Sequence, residues 1–286
     1  MTATAATSVS KEVASMALAR FVPHYQAPNR VELDRFLAVF QSVPSWLVLT
    51  GAGVSTESGI PDYRSEKVGR YATSDKRPIT YQQFVQHFSF RQSYWARNFV
   101  AWPLFSNFTP NVSHRLLAGW EADTALVPTK ALLPKLQWLI TQNVDSLHVK
   151  AGSKKLTEIH GTGRRVKCLQ CGEKFSRRQI QQQMAAENAD WSQSFDAKLA
   201  PDGDVDVPEP LIHSFVAPHC PSCECGMLMS DMVFFGDNVP RTVVEECYGH
   251  LQESGGLLVM GSSLQARDLW NHLFRIIHTC VHVAWI

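Results

Sequence analysis

No run of apolar residues in this chain approaches the ~20 that a membrane-spanning helix needs, so no span is expected. No charge of one sign dominates either. Lys and Arg number 27 against 26 Asp and Glu, a net charge of +1, which argues against a general nucleic-acid binder or a membrane-surface protein. Cysteine is sparse, with seven in 286 residues. The count is odd and four of the seven fall in metal-like pairs, so a disulfide framework is the poorer reading. What the chain does have is hydrophobic residues, 45% of the total, enough to bury a substantial core. Its length suits one large domain with an embedded small one, or two domains.

The stretch from Trp46 to Thr50 is apolar with β-branched character. It is too short for a buried helix and reads as a buried parallel strand. It stops abruptly at Gly51-Ala52-Gly53. Glycine lets a chain turn with positive φ and brings backbone N–H groups close to an anion, so this is a candidate phosphate cradle. The usual dinucleotide fingerprint has a third glycine where Thr56 stands, and the next glycine is Gly59. On the glycines alone a tight strand-to-helix turn competes. The continuation strengthens the cradle. Ser55, Thr56, Glu57 and Ser58 can cap a helix or touch phosphate oxygens. Ile60, Asp62, Tyr63 and Arg64 then set an apolar residue beside a carboxylate and a guanidinium, which suits a nucleotide ending in a neutral or cationic ring.

Leu136, Trp138, Leu139 and Ile140 form a second buried strand, followed by Gln142, Asn143 and Asp145. Ligands bind at the carboxyl ends of strands in open α/β sheets, so Asn143 and Asp145 are placed to reach the same crevice. A turn held by Asx hydrogen bonds is the competing reading. Leu257 to Met260 make a further strand, whose end at Gly261-Ser262-Ser263 fits a ribose or phosphate contact.

Cys168-x-x-Cys171 and Cys220-x-x-Cys223 are separated by 48 residues. Two such knuckles can place four thiolates tetrahedrally around Zn2+, and four cysteines leave no open position for water, so the zinc is structural. Cys225 competes for the last ligand position. A redox role needs the pair to open a helix in a thioredoxin-like unit, which the sequence does not suggest. Arg164, Arg165, Lys167, Lys174, Arg177 and Arg178 make this module basic; a solvated face is preferred over a docking patch.

Elsewhere, Val31, Leu33, Phe36, Leu37 and Phe40 recur at helical spacing and predict a helix beneath the first strand. The aromatics between Tyr81 and Phe108 are read as the core of a helical module. Tyr94 and Arg97 lie three residues apart on one predicted helical face, where a guanidinium fork and a phenol can read a carboxylate; a surface ion pair is the alternative.

The segment from Gly51 to Ser65, GAGVSTESGIPDYRS, closely resembles the opening motif of the sirtuins, NAD-dependent protein-lysine deacylases. Most members have Phe at the place of Tyr63. EKVGRYATSDKRPI, YWARNFVAWP and Ala-Pro-Asp-Gly-Asp at 200–204 are similar to the mitochondrial class II branch. The resemblance runs from Phe21 to Leu264. It implies a Rossmann-like, mainly parallel sheet with an inserted small zinc-binding module, and NAD and Zn2+ as cofactors. NAD would be held by Gly51, Ala52, Gly53, Ser55, Thr56, Gly59, Ile60, Asp62, Tyr63 and Arg64 in the first loop, by Gln142, Asn143 and Asp145, and by Gly261, Ser262 and Ser263. Asn143 and Asp145 would bind the nicotinamide carboxamide and its ribose. His160, in Leu-x-Glu-x-His-Gly, would be the general base; an imidazole titrates where such a base is useful. His148 is read as supporting structure. Val233, Phe234, Phe235 and Gly236 would hold a substrate peptide by strand addition, with Phe235 walling the acyl-lysine channel. Tyr94 and Arg97 would favour acyl chains with a distal carboxylate or polar end.

The activity implied is transfer of the acyl group of an acylated lysine to ADP-ribose with release of nicotinamide. Protein mono-ADP-ribosylation, and a catalytically impaired NAD- or partner-binding protein, are the alternatives. The expected partners are acylated protein lysines and NAD, not nucleic acid or membrane, and the chain is expected to be a monomer. Its organisation reads as a tail at 1–30 compatible with a mitochondrial presequence, a first Rossmann-like part at 31–163, the zinc module at 164–230 and a second Rossmann-like part at 231–286. A mitochondrial matrix location follows from the branch it resembles. Two departures stand out. Residues 124–134 add a loop that the family does not have. Beyond Leu264 the chain diverges, with a helix and one strand expected, and weaker NAD binding on the adenosine side.

Overall fold

The computed structural model describes residues 21–75, 77–122, 134–189, 191, 200–264 and 282–285. The strands are β1 (Ser45–Thr50), β2 (Lys135–Thr141), β3 (Leu156–Glu158), β4 (Gly161–Cys168), β5 (Lys174–Ser176), β6 (Leu228–Met232), β7 (Gly256–Met260) and β8 (His282–Trp285). Five of them form one sheet in the order β3-β2-β1-β7-β8, and every neighbouring pair is parallel. The remaining three form a small antiparallel sheet in the order β5-β4-β6. The fold is therefore the Rossmann-like sheet with an inserted module that the sequence implies.

The apolar run of β1 is explained by its place at the centre of the large sheet. Trp46, Leu47, Val48 and Leu49 are each at most 1% exposed, because both faces of a parallel sheet are covered. Alternation still sorts them. Leu47 and Leu49 pack with Ile140, Leu257 and Val259 on one face. Trp46 and Val48 pack with Leu139 and Leu258 on the other. β2 lies on one side of β1 and β7 on the other, so the strand order reverses at β1. Such a switch point leaves a crevice beyond the carboxyl ends of the strands, and all three strands discharge their loops into it.

The helix Arg30–Ser42 forms as the periodicity predicts and starts with a capping box between Asn29 and Glu32. Its packing is narrower than expected. Phe36 and Phe40 reach the sheet, with Phe40 stacked on Trp46 at 5.5 Å. Val31, Leu33 and Leu37 remain exposed. Helical spacing fixed the secondary structure here, but not how much of the stripe finds a partner. The segment after Gly51 also differs from a regular α-helix: Ala52–Ser58 is a 3-10 helix ended by Gly59 at φ 90°.

The aromatic stretch does supply core. Phe84, Tyr94, Trp95 and Phe105 are buried, carried by helices Tyr81–Gln86 and Phe88–Asn107. Phe88 is the exception and is exposed. Arg177, at the start of helix Arg177–Glu187, joins the zinc module to this core. Its guanidinium is fully buried and sits 4.8 Å from the Trp102 ring and 5.5 Å from that of Trp95. It donates to the side-chain and backbone oxygens of Asn98. Burial without a carboxylate partner pulls its pKa down to about 9.

The strand expected near the carboxyl end is present as β8, parallel to β7. The expected preceding helix, the loop at 124–133 and the first twenty residues lie outside the described residues. Among the described residues no helix is long and apolar enough to cross a membrane.

Candidate active site

The loops following β1, β2 and β7 share one cavity of about 1100 Å³. The first loop turns tightly against the third. The Gly53 N–H donates to the carbonyl of Gly261 at 2.8 Å, and the Gly51 N–H to that of Met260 at 3.0 Å. A Cβ on Gly53 would stand 2.9 Å from the Gly261 oxygen, and one on Gly51 would stand 2.7 Å from the Ser262 Cβ. These glycines are thus demanded by backbone-to-backbone packing within the protein. Closing the two loops together brings Ala52, Gly53, Ser55 and Thr56 to the cavity wall beside Gly261, Ser262 and Ser263. Gly51 and Gly59 shape the loop from behind that wall.

Gln142 ties the second loop to the third through a bond from its Nε2 to the Ser262 Oγ at 3.1 Å. Asn143 donates from Nδ2 to the Gly51 carbonyl and to the Ser55 Oγ, both at 3.1 Å. Ser55 in turn donates to the Asp145 Oδ2 at 2.7 Å, and the Leu147 N–H donates to Oδ1 at 2.8 Å. Burial raises the pKa of Asp145 despite these two donors. Residues some 90 apart in sequence are thereby locked into one polar cluster. Asp145 keeps the Asx bond that a turn would give, the Asn143 N–H donates to the Thr141 Oγ1 at 3.2 Å, and both residues also face the cavity.

Beneath this cluster lie two histidines. His148, which the sequence suggests as supporting structure, is 1% exposed and its Nε2 is 3.0 Å from the Thr50 Oγ1. His114 has no counterpart among the expectations from sequence. It is fully buried, with its ring 4.6 Å from that of His148, its Nδ1 2.8 Å from the Asn111 Oδ1 and its Nε2 3.5 Å from the Ser55 Oγ. Burial, then Arg115, pulls the pKa of His114 down to about 4; burial, then His114, pulls that of His148 down to about 3. Both are neutral at pH 7. Asn111, three residues earlier, is a local partner, but Ser55 and His148 come from other segments, so the sequence around His114 does not mark its place beneath the cluster.

His160 stands between β3 and β4 and lines the cavity. Its Nδ1 is 2.9 Å from the Gln142 carbonyl oxygen. The glycine after it is fixed by packing: Gly161 has φ 75°, and a Cβ there would meet the Asp231 carbonyl oxygen at 2.1 Å. That close approach is where β4 begins to pair with β6.

On the opposite wall, Asp62 accepts from the N–H groups of Arg64 and Ser65 and from the Ser65 hydroxyl, which fixes the loop carrying Ile60, Tyr63 and Arg64. Val233 donates to the His160 carbonyl at 2.9 Å and Phe235 accepts from Tyr81 at 2.9 Å. Phe234 is buried against Tyr94, whereas Phe235 is 42% exposed with its edge on Tyr63. Val233 to Gly236 therefore border the mouth. Tyr94 and Arg97 also line the cavity, but their polar groups are engaged. The Tyr94 hydroxyl donates to the Ser230 Oγ at 2.6 Å. The Arg97 guanidinium forks onto Asp204, with Nε to Oδ1 at 2.8 Å and Nη2 to Oδ2.

The four Sγ atoms of Cys168, Cys171, Cys220 and Cys223 lie within 4.8 Å of one another. The 168–223 and 171–220 separations are 3.6 and 3.7 Å. Zn–S bonds of about 2.3 Å in a tetrahedron give S–S edges of about 3.8 Å, so the donors fit zinc. Cys225 is not in this cluster; its thiol donates to the Cys223 carbonyl. The competing ligand is thereby resolved in favour of Cys223. Several of the basic side chains are also accounted for, since Arg165, Lys167 and Lys174 surround Asp231.

A model of the Sir2 family matches residues 51–268. The human mitochondrial NAD-dependent protein lipoamidase sirtuin-4 is 50% identical over 239 residues, covering 83% of this chain and 71% of that protein. A Drosophila melanogaster NAD-dependent protein deacylase is 44% identical over 250 residues, covering 87% and 76%. Among solved structures, Sir2 with a p53 peptide and NAD has a TM-score of 0.62 at 24% identity, covering 88% of this chain and 85% of that one. At that identity the likeness is one of fold.

Proposed function

Because the chain belongs to the Sir2 family, we propose that it is an NAD-dependent protein-lysine deacylase, acting in the mitochondrion as its sirtuin-4 relatives' names indicate. The observation that carries the reading is the convergence of His160, Asn143, Asp145 and the Gly51–Gly53 turn on one cavity.

NAD supplies an electrophilic anomeric carbon and a nicotinamide leaving group, and it accepts the acyl group as ADP-ribose. The residues of this chain position and deprotonate. The Asn143 and Asp145 side chains, with the Ile60–Asp62 backbone, would orient the carboxamide end of NAD, with Gln142 on the ribose. Ala52, Gly53, Ser55, Thr56 and the Gly261–Ser263 loop would hold the phosphate and ribose side. Holding reactants in near-attack geometry is worth several orders of magnitude in rate. His160 has a defined tautomer. A carbonyl can only accept, so the bond to Gln142 puts the hydrogen on Nδ1 and the lone pair on Nε2. With NAD bound, Nε2 would be the acceptor for a proton from a ribose hydroxyl. Val233 to Gly236 bind the peptide backbone of the substrate, which makes recognition tolerant of side chains. Zinc on the four cysteines would hold the small sheet together.

The test is to incubate the protein with NAD and a panel of acyl-lysine peptides, following nicotinamide and peptide masses. Deacylated peptide supports the proposal. Modified protein without deacylated peptide favours ADP-ribosylation, and no nicotinamide release overturns both.

A further inference from the structure

The segment Val233 to Gly236, which borders the mouth of the cavity, ends in a tight turn. The Asp237 N–H donates to the Phe234 carbonyl at 3.0 Å. Gly236, at φ 79°, takes the place where a type II turn calls for glycine. The carbonyls of both central residues are held by the first two residues of the helix Tyr81–Gln86. The Tyr81 N–H donates to the Phe235 carbonyl at 2.9 Å. The Gln82 Nε2 donates to the Gly236 carbonyl, also at 2.9 Å. A Cβ on Gly236 would stand 2.9 Å from the Gln82 Oε1, so the carboxamide packs directly on the glycine.

The two attachments differ in kind. The first uses a backbone N–H at the start of a helix, which has no partner inside the helix. The second uses a side chain that the helix does not need, because its N-terminus is closed by the capping box between Thr80 and Gln83. Gln82 is exposed and lies outside the cavity wall, whereas Phe235 and Gly236 form part of it. It therefore reaches the cavity only through the glycine. Upstream the segment is firmly held. Val233 bonds the His160 carbonyl, and the Phe234 ring packs on Phe84 and Tyr94. Gly236 is the loose end: it is exposed, it has no side chain to pack, and its N–H donates to nothing among the described residues. Rotation at this glycine redirects that N–H and unmakes the end of the strand edge.

We propose that Gln82 is a positioning residue for substrate binding: its carboxamide clamps the Gly236 carbonyl and keeps the end of the Val233–Gly236 segment in the conformation that receives a peptide backbone. The inference rests on the deacylase reading for calling the partner an acyl-lysine peptide. Holding a strand edge ready lowers the cost of binding, and the clamp touches neither NAD nor the reacting atoms. Its loss is therefore read in peptide affinity and not in turnover. Because the clamp acts on backbone, the loss is the same whatever residues flank the acyl-lysine.

The experiment compares the wild type with Gln82→Ala and Gln82→Glu. The Glu variant keeps the length of the side chain but sets an acceptor against the carbonyl. Two acyl-lysine peptides with the same acyl group and unrelated flanking residues are used. Deacylation kcat, the KM for peptide and for NAD, peptide Kd by fluorescence anisotropy and the melting temperature are measured. The peptide KM and Kd are expected to rise about three- to tenfold in the Ala variant, the size of one lost hydrogen bond, and further in the Glu variant. The rise is equal for both peptides, while kcat, the KM for NAD and the melting temperature stay where they are. An unmoved peptide KM in both variants overturns the inference. So does a fall in kcat and melting temperature together, which marks a merely structural role, or a rise confined to one peptide, which marks a direct side-chain contact. Absence of turnover in the wild type, with peptide Kd raised in the variants as described, keeps the clamp and removes the deacylase reading.

Discussion

The Nδ1 of His160 lies 2.9 Å from the carbonyl oxygen of Gln142, a residue that also bonds Ser262 through its side chain. One backbone carbonyl at the end of β2 therefore sets the tautomer of a histidine at the start of β4. His160 and the Gly261–Ser263 loop are registered to each other by the same residue.

From this follows the behaviour of His160→Ala. Deacylation should fall by about 10²–10⁴-fold, the usual contribution of a general base. Exchange of labelled nicotinamide into NAD, which needs only the first step, should be partly retained. Loss of both at unchanged thermal stability would contradict the assigned role.

The two buried histidines predict an acid-sensitive fold. Their folded pKa values, about 4 for His114 and about 3 for His148, lie below the unfolded value of about 6.5. The unfolded chain binds protons first, so their neutral burial is without cost above pH 6.5. Stability is lost as pH falls from there towards the folded values. At pH 5 each histidine costs about 2 kcal/mol. Urea midpoints at pH 7.5 and 5 measure the loss. His148→Gln, which keeps a polar group near Thr50, should remove about half of this histidine share.

One zinc per chain is expected by metal analysis, and Cys225→Ser should not change that number, since this thiol points to a carbonyl rather than to the cluster. Cys168→Ala should abolish tight binding and lower the melting temperature. Structural zinc contributes folding free energy directly. Undiminished zinc in that variant would exclude the four-cysteine site.

Arg177→Lys should destabilise by about 2–4 kcal/mol in denaturant titrations. A lysine cannot reproduce the planar fork onto Asn98 or its stacking against Trp102, and it leaves a buried ammonium unpaired. Arg177→Met should cost less than the lysine variant, because it removes the buried charge altogether. The reverse order would contradict this account.

Gly161→Ala tests the entry into the small sheet. The added methyl collides with the Asp231 carbonyl at a positive φ, so a loss of about 2 kcal/mol or more is expected. Activity should fall with it, since the shift displaces His160.

Much of this is legible in the sequence. The apolar run at Trp46–Thr50, the glycines after it and the Gln142-Asn143-x-Asp145 sequence each have a local signature, because strand burial and tight turns depend on neighbouring residues. The cysteine spacing named its metal for the same reason. The exposed stripe of helix Arg30–Ser42 shows the limit of periodicity, which says where a face lies and not whether anything covers it. Partners drawn from distant segments left no mark in sequence. His114 meets Ser55 from 59 residues away. Arg97 looked like a carboxylate reader until Asp204, 107 residues away, proved to occupy it. Local chemistry was written in the chain, but the pairing of charges across the cavity is a property of which segments the sheet brings together, and only the folded protein decides it.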